Sequence, residues 1–148
     1  MSTTAFAYPS GSRIPSRKAG EPGTGTPCAG CHTVTLNPAN GSVALDLASA
    51  PTCEPGIAQT WTLKISDSNS SWRYGYQLAV SAGTLTSANG VKMSSNNGRV
   101  YMSQTASAAS YTIRWTPAVD ATGPVEIYVA GIAASGPRRA LRCAQRAP

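Results

Sequence analysis

The chain has 148 residues, a formal charge of +6, 12% charged side chains, 14 glycines and 11 prolines. That length holds one domain core and not two, and a composition poor in charge and rich in Gly and Pro excludes long surface helices in favour of short strands and turns. Seven of the twelve basic residues lie at the ends (Arg13, Arg17, Lys18, Arg138, Arg139, Arg142 and Arg146), so the near-neutral body lacks the basic stripe that nucleic-acid binding needs, and no window has the apolar length of a membrane span.

At the start, Ala5-Phe6-Ala7 before Tyr8 has the small-x-small form of a signal-peptidase site, and residues 1–7 are read as a signal-peptide remnant or a disordered end. Residues 8–37 form an extended segment, because Pro9, Gly11, Pro15, Gly20, Pro22, Gly23, Gly25 and Pro27 deny it regular structure. Within it stands Cys28-Ala29-Gly30-Cys31-His32, the C-x-x-C-H pattern of covalent c-type haem attachment. Two thiols on one tight turn reach the two porphyrin vinyl groups as thioethers, and the adjoining imidazole supplies the proximal nitrogen to iron. Two other readings stay open: a structural zinc site that borrows Cys53, and a short-range Cys28–Cys31 disulfide.

Residues 38–136 read as a β-sandwich. Five stretches alternate apolar and polar residues, the period of strands with one buried face. Their inward positions are Val43, Leu45 and Leu47; Trp61, Leu63 and Ile65; Tyr76, Leu78 and Val80; Tyr111, Ile113 and Trp115; Val125, Ile127 and Val129. Shorter candidates at 83–86, 91–93 and 99–105 bring the total to seven or eight strands. Turn signals separate them at Glu54-Pro55-Gly56, Asp67-Ser68-Asn69-Ser70, Ala88-Asn89-Gly90, Asn96-Asn97-Gly98 and Thr122-Gly123-Pro124. The fold class expected is all-β, an antiparallel two-sheet sandwich of Ig-like form. Trp61 and Trp115 fall on inward positions and are expected in the core, while Trp72 is left for a surface groove. Residues 137–148 are expected to be a disordered basic tail.

The order Ala19-Gly20-Glu21-Pro22-Gly23, Cys28-Ala29-Gly30-Cys31-His32, Cys53-Glu54-Pro55-Gly56, Tyr76-Gln77-Leu78, Ala82-Gly83-Thr84-Leu85, Trp115-Thr116-Pro117 and Gly123-Pro124-Val125 resembles the bacterial Reeler-like proteins known as the choice-of-anchor V domain. The resemblance spans about residues 8–136 and implies an exported β-sandwich with a c-type haem near its N-terminus. The family often has an aromatic where Cys53 stands and a histidine near Gln104. With His32 the only histidine, the sixth iron position falls to Met102 or Met93 as thioether candidates, each with ordinary packing as the alternative.

The function expected is that of an exported monohaem c-type cytochrome, periplasmic or at the cell surface, with one haem c on Cys28, Cys31 and His32 and redox proteins as partners. No catalytic residues are assigned, because His32 is committed to iron and no nucleophile–base pair can be built around it. The alternatives are an adhesion or scaffold module with structural haem, forming a homo-oligomer or surface assembly, and a haem-based binder of small ligands. Cys53 and Cys143 are left as a candidate disulfide.

Overall fold

The computed structural model describes residues 19–22, 34–36, 41–47, 52–68, 73–86, 91–134 and 141–146. Among these are ten strands and no helix: β1 (Val34–Leu36), β2 (Gly41–Asp46), β3 (Gln59–Asp67), β4 (Arg73–Val80), β5 (Thr84–Thr86), β6 (Val91–Asn96), β7 (Arg99–Gln104), β8 (Ser110–Thr116), β9 (Ile127–Ala134) and β10 (Leu141–Arg146). They form a six-stranded sheet, β1-β10-β9-β4-β7-β6, and a four-stranded sheet, β2-β3-β8-β5. All pairings are antiparallel except that of β1 with β10.

The alternating residues meet between the sheets, as period-two patterning requires. Leu45, Trp61, Leu63, Ile65, Tyr76, Leu78, Val80, Leu85, Met102, Ile113, Trp115 and Val129 form one buried cluster, with Val43, Leu47, Tyr111, Val125 and Ile127 packed against it. Trp61 and Trp115 stack with ring centroids 5.2 Å apart at 26°, and the Trp115 indole N–H donates to the Ala82 carbonyl at 2.9 Å. The core expectation for both tryptophans holds, whereas Trp72 lies outside the described residues.

Turn chemistry sets the registers. Asn96 pairs with Arg99, leaving Asn97 (φ 50°) and Gly98 (φ 76°) as a two-residue hairpin loop, the left-handed pair such loops select. The turn at Glu54-Pro55-Gly56 is closed by the Ile57 N–H donating to the Glu54 carbonyl at 3.1 Å.

Two elements depart from expectation. Leu141–Arg146, expected in a disordered tail, is a strand between β9 and β1, with Cys143 opposite Ile132 on one side and Leu36 on the other. The chain there alternates Leu, Arg, Cys, Ala, Gln, Arg, a pattern whose charge hides a usable strand, and the backbone of β9 supplies its partners. The strand expected over 125–129 begins at Ile127 instead and runs on to Ala134. Val125 and Glu126 stay outside, and Glu126 is tied instead to Ser81, whose N–H donates to its carbonyl and whose hydroxyl accepts from its N–H, each at 2.9 Å.

The inner ring of Tyr76 is buried beside Tyr111, with centroids 4.6 Å apart. Tyr111 is anchored, its hydroxyl accepting from Ala108 N–H at 2.8 Å and donating to the Tyr74 carbonyl at 3.1 Å. The Tyr76 hydroxyl is buried without a hydrogen-bond partner among the described residues. Burial, and next the neighbouring Tyr111, push its ionisation well above the ordinary tyrosine value of 10.0. A phenol whose folded value is raised stabilises the fold fully below about pH 10 and loses that contribution as pH climbs toward the folded value. Tyr76→Phe is therefore expected to leave stability at neutral pH unchanged or raised by about 0.5–1 kcal/mol, and to move alkaline unfolding to higher pH. Urea melts across the alkaline range check this, and a loss above about 1 kcal/mol at neutral pH would contradict it.

Candidate functional site

The residues read from sequence as the cofactor site, Cys28, Cys31 and His32, lie outside the described residues. What the structure places is the chain on either side of them. Upstream, residues 19–22 pack on the outer face of the six-stranded sheet. Downstream, β1 begins two residues after His32 and pairs with β10, Val34 opposite Leu141.

The upstream contact is built from side chains that alternation sends away from the inter-sheet core. Ala79 on β4 is the register partner of Tyr101 on β7 and also of Tyr128 on β9. An alanine between two tyrosines leaves a trough, and Ala19 joins these three in a second buried cluster. Gly20 follows at φ 94°, a backbone turn that a side chain would strain. Glu21 then enters with 2% of its surface exposed, and the Tyr101 hydroxyl donates to its Oε1 at 2.7 Å.

A buried carboxyl group is costly unless hydrogen-bonded, and the Tyr101 hydroxyl supplies one such bond, to Oε1. The rest of the trough is polar at its rim: the Tyr128 hydroxyl donates to Glu126 Oε2 at 2.5 Å, and the Arg99 guanidinium lies 5.4 Å from the Tyr128 ring centroid. The Glu126 carboxylate, as hydrogen-bond acceptor, holds the Tyr128 phenol above its ordinary value. Gln77, Ser103 and Ala130, on the same outer face, are also buried.

The two methionines named as sixth-ligand candidates lie on the opposite face of the sheet. Met102 is 1% exposed inside the inter-sheet cluster, and Met93, its register partner on β6, packs against that cluster. Cys28, Cys31 and His32, which either thioether would face across a haem, lie outside the described residues.

Gln104 stands near the place where the resemblance has histidine. It is buried, and its Oε1 accepts from the Tyr76 N–H at 2.8 Å where the β4–β7 ladder ends. That bond gives the glutamine a backbone-capping role.

Cys53 carries a free thiol, half-buried against the inter-sheet core. The candidate bridge to Cys143 is thus not formed. Of the four residues of the zinc alternative, Cys28, Cys31 and His32 lie outside the described residues, and Cys53 alone is placed.

Sequence reasoning missed the trough and Glu21. The signal was present in Ala79, a small residue between Leu78 and Val80 on β4, and in Tyr101 and Tyr128 on outward positions.

Comparison with protein-family models gives no match, and comparison with curated protein sequences gives none either. Among solved structures, the chain is similar to the reeler domain of human F-spondin at 17% identity and a TM-score of 0.48, covering 76% of this chain and 86% of that one. It is also similar to a DUF4466 family protein from Parabacteroides merdae at 13% identity and a TM-score of 0.44, covering 74% of this chain and 44% of that one. The fold is two mainly antiparallel sheets packed as a β-sandwich.

Proposed function

We propose that this chain is an exported monohaem c-type cytochrome, periplasmic or cell-surface, that transfers single electrons with redox partner proteins. The observation that carries the reading is the run Cys28-Ala29-Gly30-Cys31-His32, two thiols and the chain's one imidazole within five residues. This donor set suits a haem bound covalently from one side: Cys28 and Cys31 would form the thioether links and His32 would ligate the iron. Haem c supplies a one-electron iron couple when bound. The chain's own part is to hold the motif against a sandwich that folds through its apolar core without the cofactor.

The placement of both methionines in the inter-sheet core favours a second reading on the same motif, a binder of small diatomic ligands at an open sixth position.

The test is production alongside the c-type maturation machinery, followed by haem staining of a denaturing gel. Wild type and Cys53→Ser are expected to stain, while the double variant C28S/C31S is expected to lose the stain entirely. A wild-type band without haem would sink the cytochrome reading and its rival together. Spectra of reduced protein with and without carbon monoxide then separate the two: a resistant sixth ligand supports electron transfer, and a large spectral shift supports ligand binding.

A further inference from the structure

From the packing on the outer face of the six-stranded sheet we infer that Tyr101 and Tyr128 form a redox site of their own, independent of the haem reading. Each phenol gives one electron to a small diffusible one-electron oxidant while its proton passes to the carboxyl group it already touches.

Among the described tyrosines, Tyr74, Tyr76, Tyr101, Tyr111 and Tyr128, these two have hydroxyls that donate to carboxyl oxygens: Tyr101 to Glu21 Oε1 at 2.7 Å and Tyr128 to Glu126 Oε2 at 2.5 Å. The Tyr111 hydroxyl donates to backbone carbonyls, which are too weakly basic to keep a proton. The Tyr76 hydroxyl has no partner among the described residues. The difference matters because a phenol that loses an electron becomes a strong acid, and a base already in hydrogen-bond contact takes the proton as the electron leaves. The neutral radical is then formed without passing through a radical cation.

The two pairs are placed to share one oxidising equivalent. Ala79 is the register partner of both tyrosines, which puts their backbones two strand spacings apart, about 10 Å. Both rings belong to one buried cluster with Ala19 and Ala79, and the Tyr128 phenol feels the charge of Glu21 as well as that of its own acceptor. The rim lies at Tyr128, whose acceptor Glu126 is exposed, while Tyr101 and Glu21 are each 2% exposed.

Charge decides where the electron hole rests. With its acceptor ionised, each phenol–carboxylate pair becomes a neutral radical and a neutral acid: the phenolic O–H bond breaks, an O–H bond forms on the carboxyl oxygen, and one electron goes to the oxidant. At Tyr128 the loss of that negative charge is opposed by the Arg99 guanidinium, 5.4 Å from the ring centroid. At Tyr101 the charge removed is a buried one, and its removal relieves a desolvation cost. Tyr128 is thus the entry point, and Tyr101 with Glu21 is the resting place. A one-electron reductant returns the electron, and Oε1 returns the proton.

The experiment uses the full chain without haem and photogenerated tris(bipyridine)ruthenium(III) as the oxidant. Tyrosyl radical is read by absorption and electron paramagnetic resonance, and proton arrival by the infrared carbonyl band of a protonated carboxyl group. Wild type is expected to give a persistent tyrosyl radical, with the carboxyl band rising alongside it and both slower in deuterium oxide. E21Q, whose amide cannot take up the proton, and Y101F are expected to lose the persistent radical, Y128F to delay its appearance, and Y76F to match wild type. Urea melts identify any variant that loses its fold, in which case the infrared band and the isotope effect in wild type decide. No persistent radical in wild type, a radical without the carboxyl band, or one equally persistent in the Y101F/Y128F double variant overturns the site. Haem staining bears on none of these outcomes, so this site and the cytochrome reading fail separately.

Discussion

Trp115→Ala is expected to lower the unfolding free energy by about 3–5 kcal/mol, the cost of removing a large aromatic from a core that cannot collapse around the gap. Three features place it at the upper end. The indole is 2% exposed and stacks on Trp61 across the β3–β8 ladder. Its N–H donates to Ala82, so deletion also strands a carbonyl beside the start of β5. Gly83, at φ 84°, packs so closely beneath the ring that any Cβ there would strike Trp115, which shows that the loop is moulded to this side chain. A single domain has about 5–15 kcal/mol in total, so the variant is expected to be close to unfolding at ambient temperature. Urea titration followed by far-ultraviolet dichroism is the check, and a loss below about 1 kcal/mol would show that the stack does not exist.

The second large effect comes from adding atoms. Gly131, inside β9, faces the inter-sheet core, where a Cβ would collide with Val43 of β2 and come within 3.2 Å of Ile65 of β3. Both neighbours are β-branched and have few rotamers to retreat into. Gly131→Val is therefore expected to cost about 3 kcal/mol, the upper range for overpacking, and Gly131→Ala less. The clash is specific, so Val43→Ala, destabilising alone, is expected to be less so in the Gly131→Ala background. A double-mutant cycle in urea measures the coupling, and simple additivity would contradict the close approach.

The sandwich was legible because one physical rule covers most of it. Leu45, Trp61, Leu63, Ile65, Tyr76, Leu78, Val80, Ile113, Trp115 and Val129 were all named from period-two alternation, and all are buried in one cluster. The rule is silent about strands buried on both faces. On β4, Gln77 and Ala79 read as the outward set, yet both are buried, Ala79 because Ala19 packs against it beside Tyr101 and Tyr128. Glu21 was invisible for the same reason: a lone acid among glycines and prolines looks like a solvated loop residue, and only a long-range partner, 80 positions away, buries it.

β10 was misread because Arg142 and Arg146 were counted as charge and not as members of an alternating strand. The methionines show the converse limit. Sequence could name Met102 and Met93 as thioethers but could not say which side of the sheet they occupy, and that side is the inter-sheet core.

The parallel pairing of β1 with β10 carries a consequence for the order in which the molecule is completed. Among the described residues β10 is the sheet neighbour of β1, and the register pair Val34 and Leu141 stands 107 positions apart. A pairing that closes so long a loop loses more chain entropy than the hairpin of β6 with β7, so it is expected to form after it. The strand that begins two residues after the C-x-x-C-H run is thus expected to dock late, once β9 has given β10 a place in the sheet.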